Sequence, residues 1–343
     1  MRNFIFHNKE LFKEGNMVYS KIIGIGAYVP PRIVKNDELS KMVETNDEWI
    51  ASRTGIKERR VSSGEKTYQM AAKAAKEAIK SAGIEKEEID MIILATISPD
   101  FFMPSTANLV QAELGLDDIP SFDVTAGCTG FVYGLQIADQ FIKSKQSKTI
   151  LVIGAEVLSK VIDWSDRNTC VLFGDGAGAV ILKSSSQEGI ICTYTGSQGD
   201  LKELLTLPAV PLKNPFLQIP NNNGGSSTIS MNGKEIFQFA TRIMIKSISQ
   251  VLNKSNLSID DIDYIISHQS NIRIIDYVSR KLKIEREKFI INLDRFGNTS
   301  SASIPLALDE AHNKKMFCPG DRVIMVAFGG GLTWGSALLN WTM

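Results

Sequence analysis

Apolar runs and amphipathic stretches alternate along this chain. Ile89–Ile97 and Thr149–Gly154 are nearly continuous apolar runs, with the length and composition of buried strands. Thr67–Ala82 is rich in alanine, carries apolar residues at helical spacing and stops at Gly83, so a helix is predicted there. Strands that alternate with amphipathic helices in this way predict an α/β fold.

The second half of the chain repeats the order of elements in the first. The corresponding stretches are 89–97 with 262–267, the strand-to-helix junction at Cys128 with the junction at Asn298, and 149–182 with 322–340. We therefore expect one α/β unit used twice, with an N-terminal half at residues 17–187 and a C-terminal half at residues 188–343. In open α/β units, functional sites gather at the carboxyl ends of the strands, and the unusual polar residues of both halves fall there.

Residues 1–16 precede the first predicted strand, which begins near Met17, and we interpret them as an N-terminal extension. They lack the long apolar core and the cleavage site of a signal peptide. Lys13–Asn16 can be encoded by a purine-rich run that looks like a bacterial ribosome-binding site, so we expect Met17 to be the natural start. The alternative is a real arm, disordered or packed on a neighbouring subunit.

Charge and cysteine content exclude several classes of function. Lys plus Arg and Asp plus Glu both number 38, so the overall charge favours neither nucleic acid nor an acidic membrane surface as a partner. The long uncharged run from Val323 to Met343 is interrupted by glycines, which fits a buried pair of strands better than a membrane span. The four cysteines lack zinc or disulfide spacing, which indicates a reduced, cytoplasmic protein.

One cysteine lies where a predicted strand passes into a helix. Cys128 stands between Gly127 and Gly130, and apolar residues recur behind it at helical spacing. The N–H groups of the first turn and the positive end of the helix dipole would face the sulfur. We therefore expect the Cys128 thiol to ionise more readily than a free thiol and to act as a nucleophile. The alternative is a buried cysteine that serves as a small apolar residue.

Other motifs are interpreted as structural. Gly174–Gly178 lacks the lysine and the following helix of a phosphate loop, so we predict a tight turn that supports the site. His7 and His312 have no partners at metal-ligand spacing, and no metal site is predicted. The remaining cysteines, which we also interpret as structural, are Cys170, Cys192 and Cys318.

Three separated motifs together resemble one known family. Cys128 in Thr-Ala-Gly-Cys-Thr-Gly-Phe, His268 in Ser-His-Gln-Ser-Asn-Ile-Arg, and Asn298 in Phe-Gly-Asn-Thr-Ser-Ser-Ala-Ser resemble the cysteine, histidine and asparagine of beta-ketoacyl-acyl carrier protein synthase III. The resemblance extends from about Met17 to the C-terminus. It implies a duplicated thiolase-type fold, in which two similar α/β halves form α-β-α-β-α layers. It also implies that an acyl-CoA primer condenses with malonyl-acyl carrier protein, a step that initiates type II fatty acid synthesis.

The resemblance also implies roles for these residues. Cys128 would hold the acyl group as a thioester, while His268 and Asn298 would donate hydrogen bonds to the oxygen of the enolate formed on decarboxylation. The backbone N–H groups of Cys128 and Gly330 would form the oxyanion hole. Each residue taken singly has a structural alternative. His268 could be a strand-end histidine bonded to backbone, and Asn298 could be a turn residue. No cofactor is implied, since the CoA thioester and the phosphopantetheine of the carrier protein are substrates.

Binding residues are implied in the same way. Those for CoA are Thr45, Trp49, Arg53, Arg167, Gly233, Phe237 and Asn271; those for the acyl carrier protein are Arg273, Arg280 and Lys281; those for the acyl pocket are Met103, Phe328 and Leu332. Met103 would reach its pocket across the interface of a homodimer. Gln238 departs from the family, because a lysine is frequent at that position. A surface stack for Trp49 and Arg53 and a solvated helix face for the basic residues are the alternatives.

Related functions remain as alternatives. A condensing or acyl-transfer enzyme of secondary metabolism would keep Cys128, His268 and Asn298. Elongating synthases use two histidines and thiolases a second cysteine, and this chain matches neither pattern. An inactive binding or scaffold protein of the same fold is a further alternative, against which the intact set of three residues argues.

Overall fold

The computed structural model describes residues 17–200, 202–211, 216 and 227–343. The expectations for residues 1–16, and most of the predicted surface excursion at 211–227, lie outside this part of the chain. The strands are β1 (Tyr19–Tyr28), β2 (Ile33–Lys35), β3 (Glu58–Arg60), β4 (Met91–Ala95), β5 (Ser121–Val124), β6 (Thr149–Glu156), β7 (Gly176–Ser185), β8 (Ile190–Ser197), β9 (Leu205–Thr206), β10 (Ser230–Met231), β11 (Tyr264–Ser267), β12 (Phe289–Ile290), β13 (Arg322–Gly329) and β14 (Thr333–Asn340).

The helices are α1 (Asn36–Leu39), α2 (Asp47–Thr54), α3 (Thr67–Ala82), α4 (Thr106–Leu114), α5 (Gly130–Lys143), α6 (Arg167–Cys170), α7 (Gly233–Ser255), α8 (Ile272–Leu282), α9 (Leu293–Phe296) and α10 (Ser303–Asn313). Helix α3 has the predicted bounds and ends at Gly83 with φ 63°, a left-handed conformation that glycine adopts without steric cost. The apolar run at residues 89–97 pairs as a strand only over β4, because the flanking residues form turns.

Two five-stranded sheets share one strand order. The first sheet runs β1-β7-β6-β4-β5 and the second runs β8-β14-β13-β11-β12. In each sheet the three strands at one side are parallel, and the other two join antiparallel. The predicted use of one α/β arrangement twice is therefore confirmed at the level of the sheets. The exact bounds of the two halves, 17–187 and 188–343, stay a prediction.

The core forms three apolar layers around the two sheets. Helices α5 and α10 pack between the sheets, α3 and α4 cover the outer face of the first sheet, and α7 and α8 cover that of the second. The result is the predicted α-β-α-β-α arrangement. The parallel strands of both sheets place the segments after β5, β11 and β12 near the centre of the molecule, and these segments carry Cys128, His268 and Asn298.

Candidate active site

Cys128 lies in a short turn between a strand and a helix. It belongs to a 3-10 turn, Gly127–Thr129, that follows β5 and runs into α5. Gly127 has φ +54°, which allows the chain to reverse sharply just before the sulfur. The Thr333 hydroxyl donates to the carbonyl of Ala126 at 2.9 Å and lies 3.0 Å from the Thr129 hydroxyl. The turn is thus held to β14 of the second sheet.

The acidity of Cys128 differs from the sequence-based expectation. Burial is the main cause that raises the pKa of the thiol to about 12, and the charge of Glu156 acts in the same direction. The Ser300 hydroxyl faces the sulfur and lowers this pKa, although it makes no well-aligned hydrogen bond within the described residues. The prediction of a readily ionised thiol is therefore wrong for the free protein, because loss of water outweighs the stabilisation of the thiolate at the helix end.

A glycine turn of the second sheet presses against the cysteine turn. A Cβ atom on Gly329 would lie 2.6 Å from the Cys128 nitrogen, and one on Gly127 would lie 2.9 Å from the Gly330 nitrogen. Both positions must therefore lack a side chain if the two backbones are to meet. The two turns that contain the predicted oxyanion-hole residues, Cys128 and Gly330, are therefore in direct contact.

His268 immediately follows β11 and is buried. Its backbone N–H donates to Val326 at 2.8 Å, and its Nδ1 lies 2.8 Å from the Ser303 hydroxyl at the start of α10. The Phe328 ring meets the imidazole edge-on, with the centroids 5.2 Å apart. Burial lowers the pKa of His268 to about 3, so the ring is neutral at pH 7.

Asn298 follows α9, and its amide has a defined orientation. The Ser300 backbone N–H donates to the Oδ1 atom of Asn298 at 2.9 Å. Because a backbone N–H only donates, the oxygen must be the atom that faces it, and Nδ2 points the other way as a donor. The backbone of Asn298 bonds to Leu172 at 2.8 Å and to Gly174 at 3.0 Å. Gly174 therefore supports this segment, as the sequence indicated, but the prediction of a tight turn over Gly174–Gly178 is wrong, because Gly176–Gly178 belong to strand β7.

A buried carboxylate lies beneath the Asn298 segment. Glu156, at the end of β6, accepts hydrogen bonds from Ser98, Thr96 and the Ile97 backbone, and from Ser301 at 2.7 Å. A side chain at Gly154 would collide with the Ser301 carbonyl. The 3-10 turn Ser300–Ala302, which belongs to the other half of the chain, thus packs against the end of β6.

The segments that carry the predicted cysteine, histidine and asparagine pack against one another. The turn at residues 127–129 packs on the turn at 300–302 and on β13, and Ser303 links the latter turn to His268. The sequence analysis did not single out Ser300, Ser303 or Glu156. Serines that precede a helix read as caps, and a glutamate at a strand end reads as solvent-exposed, so no pattern marks their contacts.

A partly buried aromatic residue lies between two arginines at the surface. Trp49 and Arg53 share one face of α2, with the Arg53 guanidinium 5.0 Å from the Trp49 ring. The Arg167 guanidinium lies 5.2 Å from the same ring and donates to the Glu44 carbonyl at 3.0 Å. The Thr45 hydroxyl is buried and has no partner within the described residues. Three residues predicted for CoA, Trp49, Arg53 and Arg167, therefore form one cluster, and Thr45 follows Glu44 directly in the chain.

The remaining predicted CoA and carrier-protein residues lie on α7 and α8. Gly233 and Phe237 are in the first two turns of α7, and the Arg273 guanidinium lies 5.9 Å from the Phe237 ring. Asn271 caps α8 by accepting from the Arg273 backbone at 2.9 Å. Arg280 and Lys281 are exposed at the end of α8.

A surface groove of about 440 Å³ runs between α7 and α8, and a residue missed in the sequence analysis contributes to it. Arg242 lies one helical turn after Gln238 and lines the groove together with Tyr277 and Lys281. Arg242 thus supplies a cation near the position where Gln238 lacks one.

The predicted acyl-pocket residues fall into two groups. Phe328 and Leu332 are buried near His268 and the glycine turn, whereas Met103 is 87% exposed. The two residues before Met103, Phe101 and Phe102, are aromatic and also exposed. Within one chain, Met103 therefore does not line a pocket with Phe328 and Leu332.

Two kinds of feature are absent from the part of the chain that the structure describes. No helix there is long and apolar enough to cross a bilayer. No cluster of three His, Cys, Asp or Glu side chains there is arranged to hold a metal ion.

Comparison with known proteins gives a consistent result. Residues 122–199 match 3-oxoacyl-[acyl-carrier-protein] synthase III, and residues 252–341 match the C-terminal domain of the same family. Beta-ketoacyl-[acyl-carrier-protein] synthase III of Clostridium acetobutylicum is 52% identical over 322 residues, which are 94% of this chain and 98% of that protein.

Solved structures agree with the sequence matches. The 3-oxoacyl-[acyl-carrier-protein] synthase III of Aquifex aeolicus superposes with a TM-score of 0.87 at 46% identity, covering 94% of this chain and 100% of that one. The priming beta-ketosynthase of the R1128 polyketide pathway also gives a TM-score of 0.87, at 32% identity, covering 96% of this chain and 98% of that one.

Proposed function

This chain belongs to the beta-ketoacyl-acyl carrier protein synthase III family, and we propose that it condenses a short acyl-CoA with malonyl-acyl carrier protein through Cys128, His268 and Asn298. It is a condensing enzyme of the acyltransferase type that initiates fatty acid synthesis. The observation that supports the residue assignment is the mutual packing of the segments that carry the three residues.

The first step is a thioester exchange. The Cys128 sulfur attacks the acyl-CoA carbonyl, a bond forms between sulfur and the acyl carbon, and the bond to the CoA sulfur breaks. The proton of Cys128 leaves with CoA, so thiol and thioester simply change places. The backbone N–H groups of Cys128 and Gly330 stabilise the tetrahedral oxyanion, and their close packing supports this role.

The second step is a decarboxylative condensation. The carboxylate of the malonyl group leaves as CO2, and its bonding electrons form an enolate on the thioester. His268 and Asn298 donate hydrogen bonds to the enolate oxygen. The enolate carbon attacks the acyl group on Cys128, and the released thiolate takes a proton from water. Neutral donors suit this step because they stabilise charge that appears only in the transition state.

Two surfaces support the substrate assignment. Trp49, Arg53 and Arg167 offer a flat ring and two cations, which match the adenine and phosphates of CoA. The groove between α7 and α8, with Arg242 and Lys281, offers positive charge to an acidic carrier protein.

The exposed apolar loop supports a homodimer. Phe101, Phe102 and Met103 are 49%, 76% and 87% exposed, and β5 is an open edge of the first sheet. The loop has a fixed base, because Asp100 accepts from the Tyr68 backbone at 3.0 Å and pairs with Lys160 at 3.1 Å. We infer that a second copy covers the loop and that Met103 closes the acyl pocket of the partner chain.

The substitution Phe102→Asp should shift the protein to monomer in sedimentation, and an unchanged dimer would contradict this interface.

Mass spectrometry of the acylated protein tests the nucleophile. Acetyl-CoA alone should leave one acetyl group on Cys128, and Cys128→Ser should leave none while keeping the fold. Cys318→Ser, a change at an exposed cysteine, should acylate like the wild type. Acylation of the Cys128→Ser variant at another residue would exclude Cys128 as the nucleophile. Competition among acetyl-, propionyl-, butyryl- and isobutyryl-CoA in the same assay then identifies the primer.

The two half-reactions test the other two residues. His268→Ala and Asn298→Ala should acylate within a few-fold of the wild-type rate, yet decarboxylate malonyl thioester about 10²–10³-fold more slowly, because each removes one donor. Equal losses in both half-reactions would contradict the assigned roles.

Charge reversal tests the carrier-protein surface. Arg242→Glu and Arg273→Glu should each raise KM for malonyl-acyl carrier protein more than KM for acyl-CoA, and added salt should shrink the difference. Lys148→Glu is the matched control, since this exposed lysine lies at the start of β6, at the far end of its sheet. A salt-independent loss for both substrates would argue against docking at this groove.

A further inference from the structure

We propose that Ser303 fixes the tautomer of His268 and thereby makes this histidine a hydrogen-bond donor, not a base, toward the substrate. Ser303 would be a positioning residue, since it acts through the imidazole. The proposal rests on the function proposed above for His268. The tautomer itself, however, is a property of the free protein and is measured without turnover.

The contact between the two side chains is short and isolated from water. The Ser303 hydroxyl lies 2.8 Å from Nδ1 of His268, and the two residues are 1% and 2% exposed. Within the described residues, this is the only hydrogen bond of the Ser303 hydroxyl. Nε2 of His268 has no hydrogen-bond partner among those residues, which leaves it available to a substrate.

The direction of the hydrogen bond follows from the donors and acceptors present. The serine proton requires an acceptor, and Nδ1 is the one within reach. A neutral imidazole carries a single proton, so an Nδ1 that accepts leaves the proton on Nε2. In this tautomer only the Nε2–H lacks a partner among the described residues, whereas the opposite tautomer would leave both the serine proton and the Nε2 lone pair without one.

Two features keep the imidazole neutral, as this argument requires. Burial lowers the pKa of His268 to about 3. Ser303 is also the first residue of α10, an eleven-residue helix, and the positive end of a helix dipole disfavours a nearby imidazolium. At neutral pH, His268 therefore presents Nε2–H without a net charge.

The same logic orients Asn298, so the site presents two donors. The Ser300 backbone fixes Oδ1 of Asn298 and leaves Nδ2 free, just as Ser303 fixes Nδ1 of His268. Both contacts come from one stretch, Ser300–Ser303. An Nε2 that already carries a proton cannot accept one from Cys128. This agrees with the expectation that His268→Ala still acylates Cys128.

The wild-type tautomer is directly measurable, because the chain has only three histidines, His7, His268 and His312. In protein labelled with ¹⁵N-histidine, we expect the His268 signals at pH 7 to show a protonated Nε2 and an unprotonated, hydrogen-bonded Nδ1. The His268→Gln variant assigns the signals. A protonated Nδ1 in the wild type would overturn the proposal, whatever the activity of the protein.

Variants of Ser303 test the consequence for catalysis. Ser303→Ala should make the second tautomer detectable and slow malonyl decarboxylation by about tenfold or more, with acylation of Cys128 within twofold. Ser303→Thr keeps the hydroxyl and should restore both the tautomer and the rate. Ser20→Ala, which also removes a buried serine hydroxyl, here bonded to Asp139 at 2.7 Å, should change neither.

Each remaining outcome is decisive. A slower Ser303→Ala enzyme with an unchanged tautomer would make the role of Ser303 merely structural and overturn the proposal. A changed tautomer with unchanged decarboxylation would overturn the link to catalysis. If Ser303→Ala fails to fold, the wild-type spectrum and the Ser303→Thr variant still decide. Failure of Cys128 to acylate would refute the proposed function while leaving the tautomer assignment intact.

Discussion

The side chains proposed to react are all uncharged in the free protein. Burial raises the pKa of Cys128 to about 12 and lowers that of His268 to about 3, and Asn298 has no charge. The pair is therefore thiol and imidazole rather than thiolate and imidazolium. A site of this kind stores no charge before substrate arrives, and its donors act on charge that the reaction itself creates.

The raised pKa predicts an unusual pH profile for Cys128. A free thiol titrates near pH 8.5, so its alkylation rate levels off above that pH. For Cys128 we expect the rate of alkylation by iodoacetamide to keep rising about tenfold per pH unit through pH 9.5, because the thiolate is still a small fraction. Mass spectrometry of the Cys128 peptide measures this rate. A plateau near pH 7 would contradict a buried, protonated thiol.

The sequence is enough to propose these residues, but it does not predict their environment. Cys128, His268 and Asn298 each follow a predicted strand. The order of their three motifs along the chain supports the resemblance to one family, and that resemblance implies their roles. The pKa of Cys128 depends on how much water the second sheet excludes, which one segment cannot reveal. Ser303 reads as an ordinary helix start until the fold brings it to His268.

At the level of elements, glycines in two facing turns allow a close backbone contact next to Cys128. A Cβ on Gly329 would meet the nitrogen, Cα and Cβ of Cys128 at 2.6, 3.3 and 3.3 Å. All three atoms belong to a packed turn, so the added methyl group cannot be accommodated by rotating a flexible side chain. One turn must therefore move away from the other.

We predict that Gly329→Ala slows acylation of Cys128 by about 10²-fold, because displacement of the turn removes a donor from the oxyanion hole. Overpacking should also lower the free energy of unfolding by about 1–3 kcal/mol. Gly199→Ala is the control, since a Cβ there meets no atom of the described residues within 4 Å. Single-turnover acylation and urea denaturation measure the two effects. Wild-type acylation in Gly329→Ala would show that the contact is not needed.

Regular elements were predicted well where their pattern is strong. Helix α3 is amphipathic and flanked by clear stop signals, and strands β4 and β6 are continuous apolar runs. The contact of Glu156 with Ser301 was not predictable, because the partners are 145 residues apart. The same holds for Arg242, whose groove forms only when α7 packs against α8.

For the whole molecule, the neutral buried histidine predicts a loss of stability in acid. Below pH 6.5, His268 is protonated in the unfolded chain, whereas in the folded chain it is not protonated until the pH falls to about 3. Stability from this residue is thus present above pH 6.5 and decreases as the pH falls, by about 1.4 kcal/mol per unit. Between pH 6.5 and 5, the loss is about 2 kcal/mol.

Urea denaturation of wild type and His268→Gln at pH 7.5 and 5.0 tests this linkage. The wild type should lose about 2 kcal/mol more than the variant on going to pH 5.0, since glutamine has no proton to bind. An equal loss in both proteins would mean that His268 titrates normally in the folded state.

The matching strand order of the two sheets has a consequence for how the chain can evolve. The junction after β5 carries Cys128, whereas the equivalent region after β12 leads to Asn298, and His268 follows the counterpart of β4. On the roles proposed above for these residues, each copy of the unit has specialised and neither can replace the other. A chain built from two first units would hold two nucleophiles and no donors, while one built from two second units would hold only donors. Exchange of sequence between the copies would erase the site, so selection must keep the two junctions different even where it keeps their backbones alike.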